Sequence, residues 1–288
     1  MTLLDGTLAA VLRYLWSAIA ATAVQLAILL GPGLLLALAL HLVSRFIRVR
    51  AWRAFGRAYY YSFGWLGTVL HETGHVLFCL LFAHRITQVK FLDPDPASGD
   101  LGHVTHTFDP LNPWQRIGNF FIGIGPILLG AAALVGASLL LVGPELFAAL
   151  RPAGEDAARM NTAAAQLAFL GHVFTGTWSA LAALFMPEHL RDWRFWVFVY
   201  LVLAAGSAME LSLPDLRGAL EGFALLAGLF ALFNLCTIWM GGFFTTMLLG
   251  VAGAASVLWV VMLVALVLGL AAALVVWIVS MPMALVRR

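Results

Sequence analysis

No charged residue interrupts the chain from Tyr14 to Ser44, and none occurs between Glu221 and Arg287. A bilayer crossing takes about 20 apolar residues, so runs of this length point to a chain that lives in lipid. Taken as one helix, the second run would be roughly 97 Å long at about 1.5 Å per residue. It therefore holds two crossings, with the break expected between Gly241 and Gly253, where glycines cluster. The first run is too long for the apolar region of a cleavable signal and ends in arginines rather than at a small-residue cleavage site. It reads as a transmembrane helix, bent at Gly31-Pro32-Gly33. Only 10% of the residues are charged and 62% are hydrophobic, against about 25% charged in a soluble domain. The net charge of +2 makes no case for a nucleic-acid partner, and the arginines read instead as topology signals.

The same length criterion divides the chain into about seven crossings: 16–43, 59–83, 117–142, 162–186, 195–213, and two after Glu221. The fold class expected is an all-α polytopic membrane protein, one integral-membrane domain over 1–288 with its core expected at 59–222. Arg45, Arg48, Arg50, Arg53 and Arg57 form the densest basic stretch. With Arg287 and Arg288 they place the C-terminus in the cytoplasm, here expected to be that of a bacterial-type plasma membrane. Between the second and third crossings, 84–116 is polar. Its segments 86–91 and 101–108 have strand character and flank the turn-forming Asp93-Pro94-Asp95-Pro96-Ala97-Ser98-Gly99, so a small β-hairpin is expected there. A second polar loop is expected at 143–161. Cys79 and Cys236 lie far apart in apolar segments, which is no disulfide framework; Cys79 shares a helix face with His75 and reads as a small buried hydrophobe.

Inside the second crossing stands His71-Glu72-Thr73-Gly74-His75. On a helix, His-Glu-x-x-His puts two imidazoles one turn apart on one face, within reach of one cation, with a carboxylate beside them. Ionisable groups at membrane depth are costly, so their presence is a functional hypothesis by default. Structural histidines bonded across helices are the plainer reading, but Glu72 would then need a partner of its own. A catalytic zinc takes three protein ligands and an open position. The extended motif with a third histidine is absent, because Phe78 and Leu81 occupy the positions it requires. The candidates for the third ligand are Asp215, Glu210, Glu221, His172, His103 and His106. Each has a structural alternative: Glu221 as a cap at the start of the sixth crossing, Glu210 as a neutralised interfacial acid, His172 as an interhelical hydrogen-bonder, and Asp215 as a loop acid or N-cap. His103 and His106 have opposite strand parity and are not expected to ligate together.

These residues together resemble the site-2-protease-like intramembrane zinc metalloproteases. The resemblance is carried by the motif in a transmembrane helix, the hairpin-like segment, the run Gly118-Asn119-Phe120-Phe121-Ile122-Gly123-Ile124-Gly125-Pro126, and a downstream aspartate. It covers roughly 59–222. It implies one Zn2+ per chain held by His71, His75 and Asp215, with Glu72 as the base acting on water, and a membrane-protein or peptide substrate cut within the bilayer. The family often has Leu-Asp-Gly at the third ligand; here Leu216 and Arg217 follow Asp215 and Gly218 comes three positions on. Asn119 is a candidate for bonding the substrate backbone or the developing oxyanion, with helix packing as its alternative. An edge of the hairpin is expected to pair with an extended substrate. The alternative for the whole chain is a non-proteolytic membrane protein, either a metal-handling transporter or an inactive protease-like scaffold.

Overall fold

The structure is a computed structural model that describes residues 3–93, 102–144, 163–206, 209, 212–240 and 243–286. The expected loop at 143–161, most of the turn at 93–99 and Glu210 lie outside the described residues. The elements in chain order are α1 (Leu3–Phe55), α2 (Trp65–Leu81), β1 (Arg85–Lys90), β2 (His103–Thr107), α3 (Pro113–Leu141), α4 (Ala163–Leu184), α5 (Trp193–Gly206), α6 (Leu213–Thr237) and α7 (Phe243–Val286). Among the described residues, four helical stretches are long and apolar enough to cross a membrane: Gly6–Phe55, Pro113–Leu141, Leu213–Thr237 and Gly250–Met281. The helical, membrane-type class holds. Helix α2 has 17 residues and α5 has 14, so neither matches the full crossing expected of it.

Several boundaries differ from the expected ones. The last apolar run breaks in a 3-10 turn at Ile238–Met240, and helix α7 runs on through Gly250 and Gly253. Helix α6 starts at Leu213, so Glu221 lies more than two turns inside it, exposed, and cannot cap its start. Asp215, expected between crossings, stands in the first turn of α6.

Lipid offers no hydrophobic drive for helices to associate, so close backbone packing through small residues must supply much of it. Helix α3 does this on two sides. A Cβ on Gly74 of α2 would lie 2.6 Å from the nitrogen of Pro126, and one on Gly123 would lie 2.6 Å from the carbonyl oxygen of Asp215. Side chains larger than hydrogen would push α2 and α6 away from α3. Apolar residues of α3, α5 and α7, such as Leu134, Phe198 and Val264, fill the core behind this contact.

The hairpin forms as expected. Strands β1 and β2 pair antiparallel, from Arg85 opposite Thr107 to Lys90 opposite His103, with an irregularity between Ile86 and Gln88. Its placement is set by the end of α2. Ala83 takes a left-handed φ of 56°, and the His84 amide donates back to the Cys79 carbonyl, which turns the chain through about a half circle. The strands then run back along α2. Gly102, just before β2, packs so closely that a Cβ there would lie 3.0 Å from Glu72 Cγ and 3.1 Å from Thr68 Cγ2. The lengths agree: a six-residue strand spans about 20 Å, as do the 13 helical steps from Leu81 back to Thr68.

Candidate metal centre

Three helices each deliver part of the site. His71 and His75 lie on α2, one turn apart, with Nε2 atoms 3.2 Å from each other. Asp215 comes from α6, with Oδ1 3.3 Å from His75 Nε2 and Oδ2 3.6 Å from His71 Nε2. One ligand atom from each residue lies within 4.8 Å of the others. Ligands at about 2.0–2.2 Å around a tetrahedral ion lie roughly 3.3–3.6 Å apart, so this donor set fits zinc in spacing and in chemistry. Of the expected third ligands, the structure brings Asp215 to the histidines. His172 is exposed on α4, Glu221 is exposed on α6, and His103 and His106 line the same cavity without joining the trio.

Asp215 is held by the start of its own helix. Ser212 and Asp215 form a capping box: the Ser212 amide donates to Asp215 Oδ2 at 3.0 Å, and the Asp215 amide donates to Ser212 Oγ at 3.2 Å. The Ser212 hydroxyl also donates to Oδ2 at 2.6 Å. Each bond satisfies or uses a group at the helix end, and together they orient the carboxylate. Leu216, where the resembled family often has glycine, is 42% exposed and does not line the cavity. The departure from that pattern therefore leaves the ligand face open.

His75 is oriented by α3. Its Nδ1 donates to the Ile122 carbonyl at 2.8 Å, which leaves Nε2 as the free lone pair facing Asp215. In an unbroken helix that carbonyl would accept from the amide four residues on. That residue is Pro126, which has no N–H and lies inside the helix. The same proline thus allows the close approach of Gly74 and releases the carbonyl that holds His75. Sequence reading found the Gly-Pro segment but not this role, since it requires knowing that α2 and α3 cross at this register.

Glu72 is buried and faces the same cavity, of about 830 Å³, without being one of the three converging residues. Asn119, also buried, lines that cavity. Gly74, Thr73 and Cys79 stay out of the chemistry: Gly74 packs on α3, the Thr73 hydroxyl donates to the Val69 carbonyl, and Cys79 is fully buried.

Sequence reading did not anticipate two further groups. His84 and His106 face each other with Nδ1 atoms 3.0 Å apart, and His84 Nε2 donates to the Gln115 carbonyl at 2.8 Å. His84 Nδ1 is then the acceptor and His106 Nδ1 the donor, so the bond needs a neutral His84 ring. Burial pushes both pKa values below the usual histidine range; the Gln115 bond partly offsets this for His84, and the His84 charge adds to it for His106. The second group is His41, Arg45 and Arg48 of α1, which line the cavity. Their i, i+4, i+7 spacing was the signal available in the sequence.

Comparison of the chain with protein-family models, with curated proteins and with solved structures finds no match.

Proposed function

We propose that this protein is a membrane-embedded zinc-dependent endopeptidase. The observation that carries the proposal is the convergence of His71, His75 and Asp215 in one cavity with Glu72. Zinc in such a set supplies Lewis-acid activation of water and of a peptide carbonyl. Glu72 stands beside the ligands in the position of a general base, taking the proton of the attacking water and passing it to the leaving amine. Asn119, with no side-chain hydrogen bond among the described residues, offers its amide to the substrate backbone or to the developing oxyanion. An extended peptide pairs with an edge of the hairpin, whose strands run alongside the motif helix.

In this reading the chain crosses the bilayer about seven times, with α2 and α5 as short members of the bundle. The site lies towards one membrane face rather than at mid-depth. Arg45 is the first charge after the long apolar run of α1 and lines the same cavity, while Asp215 stands in the first turn of α6. By the basic bias that face is cytoplasmic.

The test is metal content and cleavage measured together. Purified protein should hold about one zinc per chain. Glu72→Gln should keep it while losing about 10²–10⁴-fold in peptide cleavage. A Glu72→Gln protein that cleaves at the wild-type rate would remove Glu72 from its role, and a zinc-loaded wild type that cleaves no peptide would remove the endopeptidase reading.

A further inference from the structure

The wall of the cavity contributed by α1 has no part in the metal centre. His41, Arg45 and Arg48 fall at i, i+4 and i+7, so they form one stripe along one face of α1, and all three line the cavity that holds the trio. Other arginines of the same basic stretch are used differently: Arg50 stacks on the Phe46 ring, 5.3 Å from its centroid. Topology alone does not require that two of the basic residues face the site. Arg45 has no acidic partner among the described residues.

The charge balance of the cavity is informative. Among the described residues its acidic side chains are Glu72 and Asp215, the proposed base and the carboxylate of the trio. A divalent cation balances those two charges. Arg45 then stands as a permanent cation on the wall, since a guanidinium does not lose its proton in a protein, with the Arg48 guanidinium lining the same cavity. Arg45 is exposed and Arg48 half-buried, so water screens their field in part while both remain on the cavity wall. A guanidinium also matches a carboxylate with two parallel hydrogen bonds, which makes it selective for that group over an uncharged amide.

Building on the metallopeptidase reading, we infer that Arg45 and Arg48 form a subsite for a carboxylate of the substrate peptide. The ligand is an aspartate or glutamate side chain near the cut bond, or the free carboxylate of a peptide's C-terminus. Its role is specificity: the chain cuts peptides that place a negative charge against α1 while the scissile bond faces His71, His75 and Glu72.

The experiment uses full-length protein in detergent, loaded with zinc, and a synthetic library of 14-residue peptides whose cut sites are read by mass spectrometry. Matched members carry Asp or Asn at each position, and a C-terminal carboxylate or amide. Wild type should favour the charged member of a pair by about tenfold or more at one defined position. An effect at an internal position identifies an acidic side chain, and an effect at the end identifies the terminal carboxylate. In Arg45→Gln/Arg48→Gln the preference should collapse towards parity, with zinc content unchanged as the check that the site is folded. A wild-type preference near parity, or one that survives the double substitution, overturns the subsite while leaving the metallopeptidase reading intact. Protein in nanodiscs with and without phosphatidylglycerol gives a further outcome: if the arginines alter only the response to that lipid, they serve headgroups and the subsite is overturned. A zinc-loaded protein that cuts no member of the library fails at the earlier reading, and the subsite falls with it.

Discussion

Two polar clusters lie between apolar helices of this protein, and they are chemical opposites. Thr22 and Gln25 of α1 meet Asn234 of α6 in a set of mutual hydrogen bonds. Asn234 Nδ2 donates to Gln25 Oε1 at 2.7 Å and to Thr22 Oγ1 at 2.9 Å, and Gln25 Nε2 donates back to Asn234 Oδ1 at 3.1 Å. Amide donors meet amide and hydroxyl acceptors, the Thr22 hydroxyl donates in turn to the Ala18 carbonyl at 2.8 Å, and all three residues are buried. His71, His75 and Asp215 also join two helices, but there the groups around them do the opposite. The Ile122 carbonyl takes the Nδ1 proton of His75 and Ser212 orients Asp215, so lone pairs are left converging on one point. A polar cluster that completes itself is a fastener between helices. One whose surroundings leave it rich in lone pairs is suited to hold a cation.

That contrast can be broken at several points. Asp215→Ala should have the largest effect, lowering zinc from about one per chain to a small fraction of that, because two histidines alone leave a zinc site incomplete. Zinc retained at full occupancy would mean that a different third ligand serves. Pro126→Ala comes next. It gives the Ile122 carbonyl a helical partner and should weaken zinc binding by about 10–100-fold in a chelator competition. The proline also packs on Gly74, so the control is an α-hydroxy acid at position 126, which lacks the N–H. Zinc affinity close to wild type in that variant, with weakening in the alanine variant, isolates the carbonyl; equal weakening in both assigns the effect to packing.

Asn234→Leu acts on the fastener. It should cost about 1–2 kcal/mol of stability, read as a lower unfolding midpoint, and leave zinc stoichiometry untouched. A loss of zinc in Asn234→Leu would couple the two clusters and end the distinction drawn here. The smallest effect concerns the hairpin. His84 and His106 have lowered pKa values in the folded protein, so the stability they contribute is complete above their unfolded value of about 6.5 and is lost as pH falls through the lowered folded values. Hydrogen exchange across 85–90 and 103–107, corrected for its intrinsic pH dependence, should therefore quicken between pH 7.5 and 5.5. Exchange that stays flat over this range would show that the hairpin stays docked with its histidines charged.

Much of this was legible in the sequence where the governing interactions are local. The charge-free run from Tyr14 to Ser44 and the one after Glu221 required long apolar helices. The spacing of His71 and His75 placed both rings on one face before any tertiary contact was known, and the turn formers after Lys90 marked the hairpin. Boundaries were less legible where hydropathy is uniform. Nothing in composition separates the 3-10 turn at Ile238–Met240 from the glycine-rich helix that follows it, and nothing marks α2 as a 17-residue helix within a longer apolar stretch.

The sequence by itself determined the class of the protein, the pair of histidines and the acid beside them, because helical periodicity and the cost of charge in lipid act over a few residues. It narrowed the third ligand to a handful of candidates. Only the tertiary structure brought Asp215, among the described candidates, to the two histidines, since that depends on α6 starting at Leu213 and on Gly123 letting that helix approach α3. It also decided what Pro126 does for His75 and which arginines of α1 face the cavity. These are distances between segments far apart in the chain, set by how closely small residues let helices pack, and no local pattern encodes them.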